Sequence, residues 1–366
     1  MHVLVVNAGS SSLKLTLLGP RDETVAQQVL QTPRAVIDED ELREALTGGL
    51  AAAGVVGHRI VHGGERFREA VAIDSEVEAR LRDLVALAPL HEPKSIAALD
   101  AVSSALPEIP AFACFDTAFH AEMPEAAIVY ALPAEWRQRW GVRRYGFHGL
   151  SHAWVARRAP ELLMRAAGGL RIVSCHLGAG ASLCAIRDGR SVDTTMGFTP
   201  LEGLVMATRS GSVDPGLLVW LLERSELSVG ELGRALEHES GLLGLTSTAD
   251  MREVLERASA GDVSAQLGLD VYVHRLCAGI GAMAASVGGL DALVFTGGVG
   301  ENAAEVRERA AKALRFLGVH VDASRNRAVA GDRDISLEDA AARTLIIHAR
   351  EDLEIARQVR NAMAQR

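Results

Sequence analysis

Residues 3–18, VLVVNAGSSSLKLTLL, set two apolar runs around a tip of Gly, Ala and Ser. The pattern predicts strands over 2–6 and 13–18 joined by a tight turn. The same design returns at 171–189, RIVSCHLGAGASLCAIRDG, and the two hairpins superpose on Ser12-Leu13 and Ser182-Leu183. Between them, VVGHRIVHGGERF (55–67) reads as a strand entering a Gly-rich turn, and AFACFDTAFH (111–120) as a buried strand delivering Asp116 at its end. Leu81, Leu84, Val85 and Leu87 fall near helical spacing within 76–93, which predicts an amphipathic helix halted by Pro89 and Pro93. RRYGFHGLSHAWVARRA (143–159) passes from a turn into a helix, and a long helix is expected over 265–288. DALVFTGGVGEN (291–302) reads as a strand and turn leading to a helix over 303–318, and a last helix is expected near 350–364. Strands alternating with helices predict an α/β fold. With no low-complexity linker, the expectation is two similar, closely apposed lobes.

The chain has 366 residues, 48% of them hydrophobic, 23% charged and 4% aromatic, so its cores must be built from Ala, Leu, Val and Ile. A net charge of −9 argues against nucleic acid or an anionic membrane as partner, but leaves room for a small anion held by a local cluster. Cys114, Cys175, Cys184 and Cys277 show neither CxxC nor metal spacing and are expected to be reduced thiols, mostly buried. The first residues begin a strand without a charged leader, and no run approaches the roughly 20 apolar residues of a membrane span. The expectation is a soluble, cytoplasmic protein without a signal peptide.

Small-residue tips expose backbone N–H groups that can line an anion nest. AGSSSLK adds hydroxyls and Lys14, one of three lysines with Lys94 and Lys312. FTGGVGEN supplies a third Gly turn opening onto a helix. Any one of these could be an ordinary hairpin tip; together they predict a polyphosphate gripped by two hairpins in the cleft between the lobes. There is no Walker-A sequence and no GxGxxG. A second constellation sets Arg59, His91, Asp116, His148, His176 and Arg209 beside Gly- or Pro-rich turns. A single histidine in such a place is commonly a hydrogen-bonded core residue. The set suits phosphoryl transfer, in which charge neutralisation and positioning dominate. A magnesium ion, with oxygen ligands and water, would be required.

NAGSSSLK, GHRIVHGGERF, LAPLHEP, FDTAFH, YALP, YGFHGLSH, CHLGAGAS, MGFTPLEGLVMATRSGSVDP, SGLLG, FTGGVGEN and EDLEIAR run in order from residue 3 to residue 357. Together they resemble the acetate kinase family of short-chain carboxylate kinases, within the superfamily of actin, sugar kinases and chaperone ATPases. The resemblance implies two actin-like (ribonuclease H-like) lobes with the active site in the cleft between them. It places residues 1–147 and 352–366 in an N-terminal lobe and 148–351 in a C-terminal lobe. It implies reversible phosphoryl transfer between ATP and acetate, giving ADP and acetyl phosphate, with Mg2+ or Mn2+ and a homodimer formed through the C-terminal lobe.

Residue by residue, Asn7 and Glu351 resemble the magnesium-site residues, and Lys14 a nucleotide-phosphate contact. Arg59 and Arg209 resemble the pair that grips carboxylate and phosphoryl, Asp116 the residue that orients or deprotonates the acceptor, and His148 the donor to the transferring phosphoryl. Val61, Leu90, His91, Phe147 and Pro200 match the acetate pocket. His176, Leu177, Gly178, Ala179 and Gly180 match the second phosphate hairpin. Asp250, Met251 and Arg252, with Gly298, Val299, Gly300, Glu301 and Asn302, match the adenosine pocket. Four departures stand out: Ala179 replaces the family's usual Asn, Met251 its usual Phe, and HAR before Glu351 its usual PTN. The stretch from 19 to 55 is also shorter. Propionate or butyrate as acceptor is the nearest alternative, and an actin-like or chaperone-like ATPase a remote one.

Overall fold

The computed structural model describes residues 1–9, 12–32, 37–86, 92–328 and 331–365. Its contacts gather into two units, the first made of Met1–Ala121, Phe147–Trp154 and Arg350–Arg366, the second of Glu122–Gly146 and Val155–Ala349. The segment Glu122–Gly146 thus gathers with the second unit and Phe147–Trp154 with the first, whereas the sequence reading divides the lobes at 147/148 and again at 351/352.

In the first unit the strands are β1 (Val3–Ala8), β2 (Ser12–Leu18), β3 (Thr24–Gln31), β4 (Val55–Ile60), β5 (Val71–Ala72) and β6 (Ala111–Phe115). They form one sheet in the order β3-β2-β1-β4-β6-β5. Alternate residues of β1 feed two cores. Val3 and Val5 pack with Ile355, Ala356 and Val359 of the helix Glu351–Ala364. Leu4 and Val6 pack with Leu42, Leu46, Ala98 and Val102 on the opposite face. Burial on both faces explains why the strand is apolar without alternation. Gly57 admits the closing helix: a Cβ there would lie 2.7 Å from Ile355 and 2.8 Å from Val359.

The second unit repeats the plan with β7 (Arg171–Leu177), β8 (Ala181–Arg187), β9 (Arg190–Thr194), β10 (Ala292–Thr296), β11 (Arg333–Asp334) and β12 (Arg343–Ile346). Its order is β11-β12-β10-β7-β8-β9. In each sheet the first strand pairs antiparallel with the second and parallel with the fourth, and the fourth pairs parallel with the next long strand. The predicted duplication is therefore a duplication of topology, and these are the actin-like units expected of the fold. The helix Val263–Val287, expected over 265–288, packs on β7, β8 and β9 of the second sheet.

Two expectations change. The helix predicted over 76–93 ends early as Ser75–Asp83 plus the short turn Leu84–Ala86. Pro93 then sits in the first turn of the helix Glu92–Ala105, a place where a missing N–H costs nothing. GGVGEN is itself helical, Gly297–Asn302, ahead of the helix Ala304–Ala313. Cys114, Cys175 and Cys184 are buried, Cys277 is half-buried, and all four are free thiols. No helix among the described residues is long and apolar enough to cross a membrane.

Candidate active site

In the first unit, the predicted residues meet at the carboxyl ends of three parallel strands. Asn7 and Arg59 lie next to the last residues of β1 and β4, and Asp116 follows β6. Glu351 opens the helix packed beneath. Arg59 grips Asp116 with two bonds, Nη2 to Oδ2 at 2.5 Å and Nε to Oδ1 at 3.2 Å. Its Nη1 donates to Asn7 Oδ1 at 3.2 Å, and Asn7 Nδ2 donates to Glu351 Oε2 at 3.1 Å. Glu351 Oε2 also lies 3.9 Å from Arg59 Nε.

Burial pushes the Asp116 carboxyl up, while the Arg59 guanidinium pulls it back. Burial works against the charge of Arg59, but Asp116 and Glu351 outweigh it and raise its pKa above the ordinary arginine value. A bidentate pair of this kind fixes the plane of both groups.

Around this cluster the VHGGE loop is tied down from within. Gly63 N–H donates to Thr117 Oγ1 at 2.9 Å, and Gly64 N–H to His62 Nδ1 at 2.8 Å. His62 therefore keeps its proton on Nε2, and burial depresses its pKa to about 4. Its ring meets Phe147 edge-on at 5.5 Å.

Behind His62, the helix Glu92–Ala105 supplies an acid that the sequence reading passed over. The Oε2 of Glu92 accepts His62 N–H at 3.1 Å, and its Oε1 has no hydrogen-bond partner among the described residues. Burial, aided by the charge of Asp116, lifts this carboxyl to about 8 against the pull of the His62 N–H and Arg59.

His148 occupies a left-handed backbone conformation, φ 56°, at the start of the helix Gly149–Leu163. Such a conformation is costly for a residue with a Cβ and is characteristic of functional positions. The chain is held there by Gly149 N–H donating to Asp116 O at 2.8 Å, and a Cβ on Gly149 would lie 2.1 Å from that oxygen. His120 Nε2 contacts Phe147 O at 3.1 Å. Lys14 is exposed on β2, directly opposite Asn7 in register. Val61 is half-buried and Phe147 buried; Leu90 and His91 lie outside the described residues.

In the second unit, the β7–β8 tip closes with Gly178 N–H donating to Gly180 O at 2.9 Å, and Leu177 pairs with Ala181. His176 pairs with Ser182 on one side and with Thr296 on the other. Ala207 N–H donates to Ala179 O at 3.1 Å, which binds the loop carrying Arg209 to the hairpin tip. Arg209 Nε lies 3.1 Å from Glu237 Oε1 and its Nη1 3.8 Å from Met206 Sδ.

Gly297 packs against Leu177, where a Cβ would meet the Leu177 carbonyl oxygen at 2.8 Å. The six-residue helix behind it does not present the bare N-terminus the sequence suggests. Glu301 Oε1 accepts Gly297 N–H and Ala349 N–H, each at 2.9 Å. Buried Arg307 closes the other end, donating to Gly300 O and Glu301 O at 2.8 Å. Of the remaining nucleotide candidates, Asp250 caps the helix Met251–Ser259 and pairs with exposed Arg252 at 2.6 Å, while Met251 is buried. Asn302 Nδ2 donates to Gly298 O at 2.8 Å.

The loop containing Pro200 is held by a staple that motif reading did not resolve. Tyr130 donates to Glu202 Oε2 at 2.5 Å and accepts Phe198 N–H at 2.9 Å. Arg144 donates to Glu202 Oε1 at 2.7 Å and to the carbonyls of Thr195 and Met196. Gly197 leaves the room: a Cβ there would fall 2.2 Å from the Tyr130 hydroxyl.

Residues 36–357 match the model of the acetokinase family. An acetate kinase of Gloeobacter violaceus is 51% identical over 306 residues, covering 83% of this chain and 75% of that protein. The crystal structure of Porphyromonas gingivalis acetate kinase superposes with a TM-score of 0.90 at 35% identity, covering 99% of both chains. A propionate kinase from Francisella tularensis gives 0.90 at 34%, covering 98% of both.

Proposed function

Because the chain belongs to the acetokinase family, we propose that it transfers the terminal phosphoryl group of ATP reversibly to acetate, giving ADP and acetyl phosphate. The observation that carries this reading is the joined set Asn7, Arg59, Asp116 and Glu351, in which a fixed guanidinium stands among oxygen donors. A carboxylate oxygen of acetate attacks the γ-phosphorus in line, the bond from that phosphorus to the β–γ bridging oxygen breaks, and its electron pair leaves with ADP. No covalent enzyme intermediate is needed. Family resemblance assigns Arg59 and Arg209 to the carboxylate and the phosphoryl oxygens and His148 to the phosphoryl as charge spreads over it, with Asp116 keeping Arg59 and the acceptor oriented. Val61, Leu90, His91, Phe147 and Pro200 are assigned to the methyl group of acetate by family resemblance.

The cluster also fits magnesium. The amide oxygen of Asn7 and the carboxylate of Glu351 are hard oxygen donors in direct contact with one another's side chains. Magnesium usually binds through one or two such groups while keeping water and substrate phosphate oxygens. Asn7 and Glu351 would hold the ion, through coordinated water, and bound there it would neutralise charge on the phosphate oxygens. Manganese has the same donor preference. Lys14, the 176–180 hairpin, and residues 250–252 and 298–302 are the proposed nucleotide contacts.

Propionate as acceptor is the second reading, favoured by the similarity to a solved propionate kinase. One extra methylene is worth only about 1–3 kcal/mol of discrimination. A series of kcat/KM over acetate, propionate and butyrate separates the two. Absence of carboxylate-dependent ADP formation with every acid would overturn the kinase reading itself.

The same reading places the protein in the cytoplasm as a homodimer. The helix Pro215–Arg224 exposes Leu217, Val219, Trp220 and Leu222, with Trp220 55% accessible. Exposed large apolar side chains gathered on one helix are the mark of an association surface. Sedimentation of Trp220→Asp against the parent chain tests it, with dissociation expected and an unchanged mass opposing the assignment.

A further inference from the structure

The geometry points to Glu237 as the positioning residue of Arg209, a role that rests on the phosphoryl-transfer reading above. Glu237 lies in a π-helical turn, Ala235–Glu239, that continues the helix Val229–Arg234. Turns of this kind are rare and carry one residue more than an α-helical turn. Their effect here is visible in the burial pattern. Leu232 and Glu237, five residues apart, are both buried, while Gly233, Arg234, His238 and Glu239 are exposed. Regular α-helical spacing from Leu232 would return residue 235 or 236 to the interior face. The widened turn brings a carboxylate there instead, and Glu237 is only 5% accessible.

That carboxylate meets a guanidinium. Glu237 Oε1 lies 3.1 Å from Arg209 Nε. The backbone of the same turn binds the residues on either side of Arg209. Leu236 O accepts Ser210 N–H at 3.0 Å, and Glu237 O accepts Thr208 Oγ1 at 2.9 Å. Ser240 N–H returns to Thr208 O at 2.9 Å. Gly241, with φ 62°, then turns away through a space where a Cβ would fall 2.7 Å from Arg209 O. Residues 208, 209 and 210 are thus each held by the 236–240 segment, by side chain at the arginine and by backbone at its neighbours.

A carboxylate beside a guanidinium weakens its attraction for anions, so Glu237 does not serve by adding affinity. It holds Nε, which fixes the rotation of the planar group about its own stem. Bidentate recognition of an oxyanion needs that orientation. A misplacement of about 1 Å at such a group costs on the order of 100-fold in rate. The signature is therefore a split: kcat depends on the Glu237 carboxylate, while ground-state affinity for acetyl phosphate does not fall when it is removed.

The test compares Glu237→Gln, isosteric and uncharged, with Glu237→Asp and Glu237→Ala, using the full-length chain. In Glu237→Gln, kcat is expected to drop about 10–100-fold with the KM for acetyl phosphate unchanged or lower. Glu237→Asp should recover part of the loss. Crystal structures without substrate, parent against Glu237→Gln, should show the Arg209 guanidinium in a changed orientation. Unchanged kcat, a fall in kcat with Arg209 unmoved, or a proportionate rise in KM would each overturn the assignment. If Glu237→Ala fails to fold, the isosteric variant carries the same comparison. Were the parent chain inactive with all carboxylates, the function reading would fall, and the Arg209 orientation would still decide whether Glu237 positions it.

Discussion

Arg59 and Asp116 share two hydrogen bonds across the ends of neighbouring parallel strands, and the carboxylate side of the pair is 1% accessible. The arginine is therefore oriented before any substrate arrives. Replacing Asp116 with Asn should cut kcat by about 10²–10⁴-fold, the span typical of a positioned acid–base or orienting group. Breaking a buried pair by removing one partner also costs about 3–5 kcal/mol. Both a steady-state assay and a melting curve should register it, and near-parental values in both would dismiss the pair as an orienting contact.

His148 combines a chemical role with backbone strain. His148→Ala should lose about 10²–10³-fold in kcat, as for removal of one oxyanion donor. His148→Gly removes the same imidazole but tolerates φ 56°. It should be as inactive as the alanine variant yet more stable, by about 1 kcal/mol. Equal melting temperatures for the two would show that the left-handed conformation carries no strain.

The buried Glu92 carboxyl, lifted to about 8, makes stability depend on pH. Its folded-state pKa lies above the unfolded value of 4.5, so its stabilising contribution is complete below that value. It is lost as pH rises toward 8, because the unfolded chain then holds fewer protons than the folded one. Glu92→Gln retains an acceptor for His62 N–H and does not titrate. Its melting temperature should exceed that of the parent by about 2–6 °C at pH 8.5, with a smaller difference at pH 5. A pH-independent difference would contradict the assignment.

The staple of Tyr130, Arg144 and Glu202 gives a prediction about selectivity. Tyr130→Phe leaves Phe198 N–H and Glu202 without their shared hydroxyl. Losing such bonds in a partly buried site costs about 1–3 kcal/mol. The KM for acetate should rise roughly tenfold for each 1.4 kcal/mol lost, while the KM for ATP stays near its parental value. A change confined to ATP would detach this loop from the acceptor.

Much of this site was legible because short motifs lie at strand ends. Asn7, Arg59 and Asp116 each follow an apolar run whose direction and length set where the side chain emerges. The duplicated hairpin could be read for the same reason. Other features depended on partners far away in the chain. GGVGEN has poor intrinsic helix propensity, and its helix is secured by Glu301 at one end and Arg307 at the other. Pro93 looked like a terminator because the pattern before it is helical, yet Pro is equally at home in a first turn. Glu237 left no periodic trace, since a π-turn breaks the spacing by which helix faces are recognised. Glu92 stands beside His91, and burial, which gives the acid its character, is invisible in one sequence.

Among the described residues Arg307 is the largest fully buried side chain, and its partners there are Gly300, Glu301 and Asn326 oxygens, none of them a carboxylate. Burial lowers its pKa to about 10, which still leaves it charged at neutrality. A whole elementary charge is therefore lodged in a poorly screening medium, with only dipoles arranged about it. The Glu301 carboxylate stands at the opposite end of the same short helix, so in a molecule of net charge −9 the segment Gly297–Asn302 is held between a buried cation at its carbonyl end and an anion at its N–H end.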